Sequence, residues 1–122
     1  MNIGEYKKLT KKTERKNKYN VSIISDRTMD GICFHSRAEM LYYAELKLEV
    51  RQGFIKYFHR QVPFDLPGGV RYVCDFMMVY PDGQIRYVEV KGKRRPEYII
   101  KKKQVEALYP VEIIEVEAYK RK

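Results

Sequence analysis

A tight turn lies between two strand-like segments of this chain and limits how the two strands can pair. The segment "YPDGQ", residues 80–84, separates "VRYVCDFMMVY" from "QIRYVEVK". Proline suits the first loop position because its φ is already set, and Gly83 takes a left-handed conformation without steric cost. The pattern predicts an antiparallel hairpin with a three-residue loop, a type I turn closed by a G1 bulge. In that register Asp75 lies opposite Glu89.

This register predicts a cluster of charges in strands that are otherwise apolar. Directly opposed residues project from one face of a sheet, and Lys91, two residues beyond Glu89, projects from that face too. A two-residue Asp-Gly loop would instead send Glu89 to the other face. Two facing carboxylates repel and are costly to bury. Lys91 can offset this as a structural salt bridge, but a hard cation such as Mg²⁺ (or Mn²⁺) would do so better and is the interpretation we favour.

The rest of the chain predicts a mixed α/β fold, in the order β-β-α-β-β-β-α-β, with a central sheet flanked by two helices. "YNVSIISDRTMDGICF" is typical of two short strands around an Asp30-Gly31 turn. "SRAEMLYYAELKLEVRQG" is the clearest helix, with Ser36 as its N-cap and Gly53 at its end.

The second half of the chain completes this order. Pro63 in "FIKYFHRQVPFDLP" indicates an edge strand or a bulge. A Pro-Gly-Gly loop follows at residues 67–69, and then the hairpin. Pro96 is suited to open a second helix that ends near Tyr109, and "VEIIEVEAY" alternates as a last strand. We expect residues 1–18 to form a flexible basic arm and residues 19–122 to form a single domain.

The charge of the chain points to a polyanionic partner. Its 122 residues carry a net charge of +9, with seven basic groups in residues 1–20 and seven more in residues 91–103. Such basic runs are also found on protein surfaces that are merely solvated, or on surfaces that bind a membrane. Neither run has a broad apolar face beside it, so nucleic acid is the better prediction.

Other features exclude several classes of protein. No apolar run approaches the roughly 20 residues of a transmembrane helix, and the amino terminus has no apolar segment typical of a secretory signal. Cys33 and Cys74 are the only cysteines, which indicates free thiols rather than a disulfide framework or a zinc site. We therefore expect an intracellular, cytoplasmic protein without a membrane partner.

The ordered segments resemble the PD-(D/E)XK nuclease superfamily. "DGICFHSRAEMLYYAEL", "QVPFDL", "YVCDFMMV" and "VEVKG" occur in the order and approximate spacing of a small phage-encoded family of that superfamily. They are also similar to the phage endonuclease I type of Holliday-junction resolvase. The resemblance covers roughly residues 19–117. The Glu-x-Lys triplet alone is a weak signal, whereas the whole ordered set is fairly specific. Cys74 stands where the motif name has proline, a position that varies in the superfamily.

The resemblance implies roles for individual residues. Asp75 and Glu89 would bind the metal, with the Val90 carbonyl as a further ligand. Lys91 would position or activate the attacking water and stabilise charge at the phosphate. Glu39 corresponds to the helical acid of the superfamily, as a catalytic residue and metal ligand. Glu39 also completes a Ser36-x-x-Glu39 capping box, which by itself explains its presence.

Positive residues after the hairpin are candidates for DNA binding. They lie where a phosphate backbone would pass and are Lys93, Arg94, Arg95, Lys101 and Lys102. Gln104 on the same predicted helix either lines the site or is a surface glutamine. His35 and His59 lack metal-ligand spacing, and we interpret both as ordinary surface or boundary residues.

These observations predict a Mg²⁺-dependent DNA endonuclease that prefers branched DNA such as a four-way junction. A homodimer is expected, because two matched cuts need two matched sites. Two alternatives stay open: a basic nucleic-acid-binding module whose carboxylates are only structural, and a nicking or end-processing subunit of a phage recombination, replication or packaging complex.

Overall fold

The computed structural model describes residues 23–91 and 94–117; the basic arm and Lys93 lie outside these ranges. The fold is mixed α/β with a central mixed sheet of four strands and two helices, as the sequence predicts. The elements are β1 (Thr28–Met29), β2 (Ile32–Cys33), α1 (Arg37–Gln52), β3 (Tyr57–Leu66), β4 (Val70–Val79), β5 (Ile85–Lys91), α2 (Pro96–Leu108) and β6 (Ile113–Glu117). Their order matches the predicted one.

The chain divides into two compact units, Met1–Ala44 and Glu45–Lys122. In the first, β1 and β2 form the expected hairpin around Asp30 and Gly31, whose φ angles of 54° and 75° are typical of a type I′ turn. The turn is tied to α1 by the Tyr43 hydroxyl, which donates to Asp30 Oδ2 at 2.8 Å. Ile24–Arg27 form a 3-10 turn rather than part of a strand, so the first predicted strand is shorter than expected.

Both ends of α1 follow local sequence rules. The Ser36 hydroxyl accepts the backbone N–H of Glu39 at 3.1 Å, as an N-cap does. At the other end Gly53 has a φ of 83°, and its N–H donates to the Val50 carbonyl. The N–H of Phe54 reaches the Glu49 carbonyl. These two bonds form a Schellman motif, so the helix ends where the glycine predicts.

The four-stranded sheet of the second unit has the order β3-β4-β5-β6. β3, β4 and β5 are antiparallel, and β6 is parallel to β5. β3 is an edge strand, as Pro63 predicts. Pro96 opens α2 as expected, and Tyr98 and Val105 of this helix pack into one core cluster with residues of the sheet, namely Phe64, Leu66, Tyr72, Cys74 and Ile113. α2 therefore covers one face of the sheet.

Within the described residues, no helix combines the length and the apolar character needed to cross a membrane.

Candidate metal and phosphate site

The hairpin between β4 and β5 has the predicted three-residue loop. Tyr80 N–H donates to the Gln84 carbonyl, Gly83 N–H donates to the Tyr80 carbonyl, and Gly83 has a φ of 91°. Phe76 pairs with Val88 at the end of the regular ladder. Extending that register by one residue sets Asp75 opposite Glu89, so the register predicted from the turn is confirmed.

The regular ladder between β4 and β5 stops beside Asp75. At this point carboxylate side chains, and no longer main-chain carbonyls, accept the backbone N–H groups. Asp75 Oδ2 accepts the N–H of Val90 at 2.9 Å, and Glu89 Oε2 accepts the N–H of Asp75 at 3.1 Å. In a continued antiparallel ladder these N–H groups would face carbonyl oxygens of neighbouring strands. The two acids are thus joined by reciprocal side-chain-to-backbone bonds, which the simple expectation of two side chains on one regular pleat did not include.

The reciprocal bonds of Asp75 and Glu89 occur where the alternation of side chains along β4 is irregular. Tyr72, Cys74 and Tyr87 all belong to the core under α2, yet Tyr87 lies opposite Met77. The core-facing positions of β4 therefore change from even to odd numbers between Cys74 and Met77, and Asp75 lies in this interval.

The β3 residue facing Asp75 is unusual as well. Arg60 pairs with Phe76 and Val62 pairs with Cys74, so Gln61 lies opposite Asp75. Gln61 has a φ of 52°, which is rare for a residue other than glycine. The pairing of β3 with β4 keeps one register on both sides of Gln61, so the distortion adds no residue to either strand. The distorted residue therefore lies directly beside Asp75, whose carboxylate accepts the Val90 N–H of β5.

Three groups hold the Glu89 carboxylate, which is 4% exposed. The buried Tyr72 hydroxyl donates to Oε2 at 2.7 Å, Asp75 N–H donates to the same oxygen, and Lys91 Nζ lies 3.0 Å from Oε1. The Lys91 ammonium also lies over the Tyr98 ring, 4.0 Å from its centroid. The salt bridge that the sequence allowed between Lys91 and Glu89 is therefore present.

Burial dominates the proton equilibria around this site. It raises the pKa of Tyr72 far above its usual value, and the Glu89 charge adds to the effect. Burial, followed by the charges of Glu115 and Glu89, also raises the pKa of Tyr98. For the Cys74 thiol, burial and then Glu89 raise the pKa to about 12. All three groups are neutral at physiological pH, so Tyr72 acts as a hydrogen-bond donor to Glu89.

Glu39 belongs to the first compact unit, whereas Asp75, Glu89 and Lys91 belong to the second. Ser36 caps the helix at Glu39, as expected. The Glu39 side chain is nevertheless 3% exposed, and His35 Nδ1 lies 3.8 Å from Oε2. The His35 side chain is itself 79% exposed, in agreement with a surface residue. A catalytic or metal-binding role for Glu39 stays a prediction.

The predicted DNA-binding residues have different surroundings. Arg94 pairs with Glu115 at 3.0 Å, and Lys101 Nζ donates to the Arg71 carbonyl. Arg95 and Gln104 are exposed. Lys102 is largely buried between Glu106 and Glu115, so its charge is neutralised within the protein. A DNA-binding role for these residues stays a prediction.

Comparison with protein families identifies the family to which the chain belongs. Residues 16–120 match one family, which is described as "Protein of unknown function (DUF1064)". The chain belongs to the DUF1064 family. The matched span contains Glu39, Asp75, Glu89 and Lys91, so the whole candidate site lies within the DUF1064 domain. Curated proteins gave no match to the chain.

The residues of this DUF1064 domain that sequence reasoning missed are Tyr72 and Tyr98. Only Tyr98 has a detectable signal, because it is in the first turn of a helix that begins soon after Lys91. Tyr72 lies three residues before Asp75, and regular alternation would place it on the opposite face of the sheet. The short connection between β5 and α2 places that first turn beside the end of β5. The sequence leaves open which of the eleven tyrosines make such contacts.

Proposed function

We propose that this DUF1064 protein is a metal-dependent DNA endonuclease that hydrolyses phosphodiester bonds. The observation that carries the proposal is the buried pair of Asp75 and Glu89, fixed by hydrogen bonds and accompanied by Lys91. Buried carboxylates are rare unless they are paired or coordinate a metal. A bound divalent cation would add positive charge beside the two carboxylates, and its oxygen ligands could come from both.

The donor set fits a hard divalent cation. Asp75, Glu89 and the Val90 carbonyl would hold Mg²⁺ or Mn²⁺, since carboxylate and carbonyl oxygens are the ligands these ions prefer. Across residues 23–91 and 94–117, no group of three or more His, Cys, Asp or Glu side chains is arranged to hold a metal. Mg²⁺ commonly takes only one or two carboxylates and keeps several waters. When bound, such an ion supplies an acidified water and relieves the charge of the phosphate.

The residues of the chain prepare the site for this chemistry. Tyr72 and the Asp75 amide hold Glu89, and the Val90 amide holds Asp75. Fixed groups of this kind need little reorganisation during a reaction, which favours catalysis. Lys91 carries a positive charge beside the carboxylates and is 25% exposed. It can therefore approach a phosphate oxygen and stabilise the negative charge that develops there.

The positive charge of the chain supports DNA as the substrate. The net charge is +9, and the exposed Arg95 directly precedes the helix whose first turn contacts Lys91. Phosphate contacts by such residues would attract any DNA without reading its sequence. The preference for branched DNA and the homodimer rest on the resemblance to junction resolvases and belong to the proposal.

A cleavage assay tests the proposal. The protein is incubated with a four-way junction and with linear duplex of the same sequence, with Mg²⁺, with Mn²⁺ and with a chelator. We expect cleavage only with metal, faster on the junction, and a loss of at least about 100-fold in Lys91→Ala. Lys56→Ala, which removes an exposed lysine of the same unit, serves as the control and should cleave normally. Binding without metal-dependent cleavage would favour the DNA-binding module, and equal rates on both substrates would remove the junction preference.

A further inference from the structure

We propose that Tyr98 is a positioning residue that holds the Lys91 ammonium on the face of its aromatic ring and so fixes it beside Glu89. This inference rests on the proposed nuclease function, because Lys91 is the group through which Tyr98 would act. Tyr98 itself touches neither of the two carboxylates through a hydrogen bond of the described structure.

Two contacts position the Lys91 ammonium. Lysine has a flexible four-carbon stem and a compact charge, so one contact alone leaves it many conformations. Here Nζ lies 3.0 Å from Glu89 Oε1 and 4.0 Å from the centroid of the Tyr98 ring. The electron-rich face of an aromatic ring attracts a cation within about 6 Å. The carboxylate and the ring together define the position of the ammonium.

The surroundings of the Tyr98 hydroxyl indicate that the ring is the functional part of this side chain. Tyr98 is 7% exposed, and its Oη is buried with no hydrogen-bond partner among the described residues. A buried hydroxyl without a partner destabilises a protein, so the hydroxyl does not explain why the residue is there. The ring, in contrast, contacts Lys91 and lies 6.2 Å from the ring of Tyr72, which holds the other Glu89 oxygen.

The fold keeps this ring in place. Pro96 begins α2, and Tyr98 lies in the first turn of that helix. Val105, seven residues later on the same face, is fully buried in the core cluster that also contains Tyr98. The ring is thus anchored by the helix and the core, while Lys91 is anchored by the sheet. The contact couples α2 to the end of β5.

A series of nearly isosteric rings tests the cation–π contact. Tyr98 is replaced by phenylalanine, 4-fluorophenylalanine and 3,4,5-trifluorophenylalanine, which progressively withdraw electron density from the ring face without changing its shape much. We expect Tyr98→Phe to cleave DNA within about twofold of wild type and the trifluoro ring to lose about threefold to 30-fold. Mn²⁺ affinity should stay constant through the series. The same replacements at Tyr87, which packs against Phe64 in that core, should leave the rate unchanged.

A second measurement reports the contact without using activity. In the proton NMR spectrum, the ring current of residue 98 should shift the Lys91 ε-methylene protons upfield in wild type and Tyr98→Phe, and the shift should vanish in Tyr98→Met. Circular dichroism checks that each variant is folded. Equal cleavage rates across the fluorinated series, or an unshifted Lys91 in wild type, would overturn the inference. A wild-type protein that cleaves no DNA would contradict the proposed function, while the Lys91 shift still decides whether Tyr98 holds the lysine.

Discussion

Glu89 accepts the backbone N–H of Asp75 through Oε2 at 3.1 Å, and this bond joins the two acids of the candidate site across the end of the β4–β5 ladder. The neighbouring Val90 N–H returns a bond to the Asp75 carboxylate. Each acid therefore helps to fix the strand that carries the other. The site and the end of the hairpin are one structural unit, so variants of the site should change both stability and metal binding.

Tyr72→Phe tests how far the Glu89 carboxylate depends on its phenol donor. The variant loses the 2.7 Å bond to Oε2 while keeping the ring in the core. A hydrogen bond to a charged group contributes about 1.5–3 kcal/mol, so we expect urea denaturation to show a loss of about 2 kcal/mol in the free energy of unfolding. Mg²⁺ affinity by calorimetry should fall about 10- to 100-fold. Tyr87→Phe is the control, and equal affinities in the two variants would refute this role of Tyr72.

Asp75→Asn should make the metal-free protein more stable. The substitution removes one of two neighbouring buried charges, and the asparagine carbonyl can still accept the Val90 N–H. We expect a gain of about 1 kcal/mol in the free energy of unfolding in the presence of a chelator, together with loss of the stabilisation that Mg²⁺ gives to wild type. Asp65→Asn changes an exposed acid paired with Arg71 and should stay within about 0.5 kcal/mol of wild type. Lower stability of Asp75→Asn without metal would contradict the electrostatic argument.

Gln61 should tolerate glycine and resist a β-branched residue. Its φ of 52° is strained for most side chains, and we infer that this distortion turns Asp75 toward β5. Thermal unfolding should show Gln61→Gly as stable as wild type or more stable by up to about 1 kcal/mol. Gln61→Val should lose about 1–2 kcal/mol and weaken Mg²⁺ binding. If valine left both properties unchanged, the distortion at Gln61 would not be what orients Asp75.

The two cysteines should differ in reactivity and in their effect on alkaline stability. Cys33 is exposed and Cys74 is buried, so a thiol reagent at pH 8 should modify one cysteine per folded chain. The pKa of Cys74 is raised from 9.0 to about 12 by burial and then by Glu89. Between these values the unfolded thiol releases its proton and the folded one keeps it, so stability should fall as pH rises through this window. The slope reaches about 1.4 kcal/mol per pH unit for one group.

Cys74→Ala provides the control for that slope. The variant loses packing at every pH, but its stability should decline less steeply than that of wild type between pH 9 and 10. Parallel declines in the two proteins would show that Cys74 is not responsible for the alkaline loss.

Local sequence signals predicted most of the fold and the hairpin register. The Pro-Asp-Gly loop set the pairing of β4 with β5, Ser36 and Gly53 marked the ends of α1, and Pro96 marked the start of α2. These signals act within a few residues, so one sequence suffices to interpret them. They also brought Asp75, Glu89 and Lys91 together.

Contacts between distant segments could not be predicted in the same way. The positive φ of Gln61 arises in a strand with no glycine to signal it. The bond from Tyr72 to Glu89, the ring of Tyr98 under Lys91 and the acidic partners of Lys102 depend on how the sheet and α2 pack. A basic residue on a helix has the same sequence signal whether it faces DNA or two glutamates.

The proposed metal-dependent cleavage is tested by single-turnover assays of wild type and Asp75→Asn with and without Mg²⁺. We expect that wild type cuts a DNA junction only with the metal, that Asp75→Asn is slower by at least about 100-fold, and that Asp65→Asn cuts at the wild-type rate. A folded wild-type protein that cuts no DNA with Mg²⁺ or Mn²⁺, or an Asp75→Asn protein that cuts as fast as wild type, would contradict it.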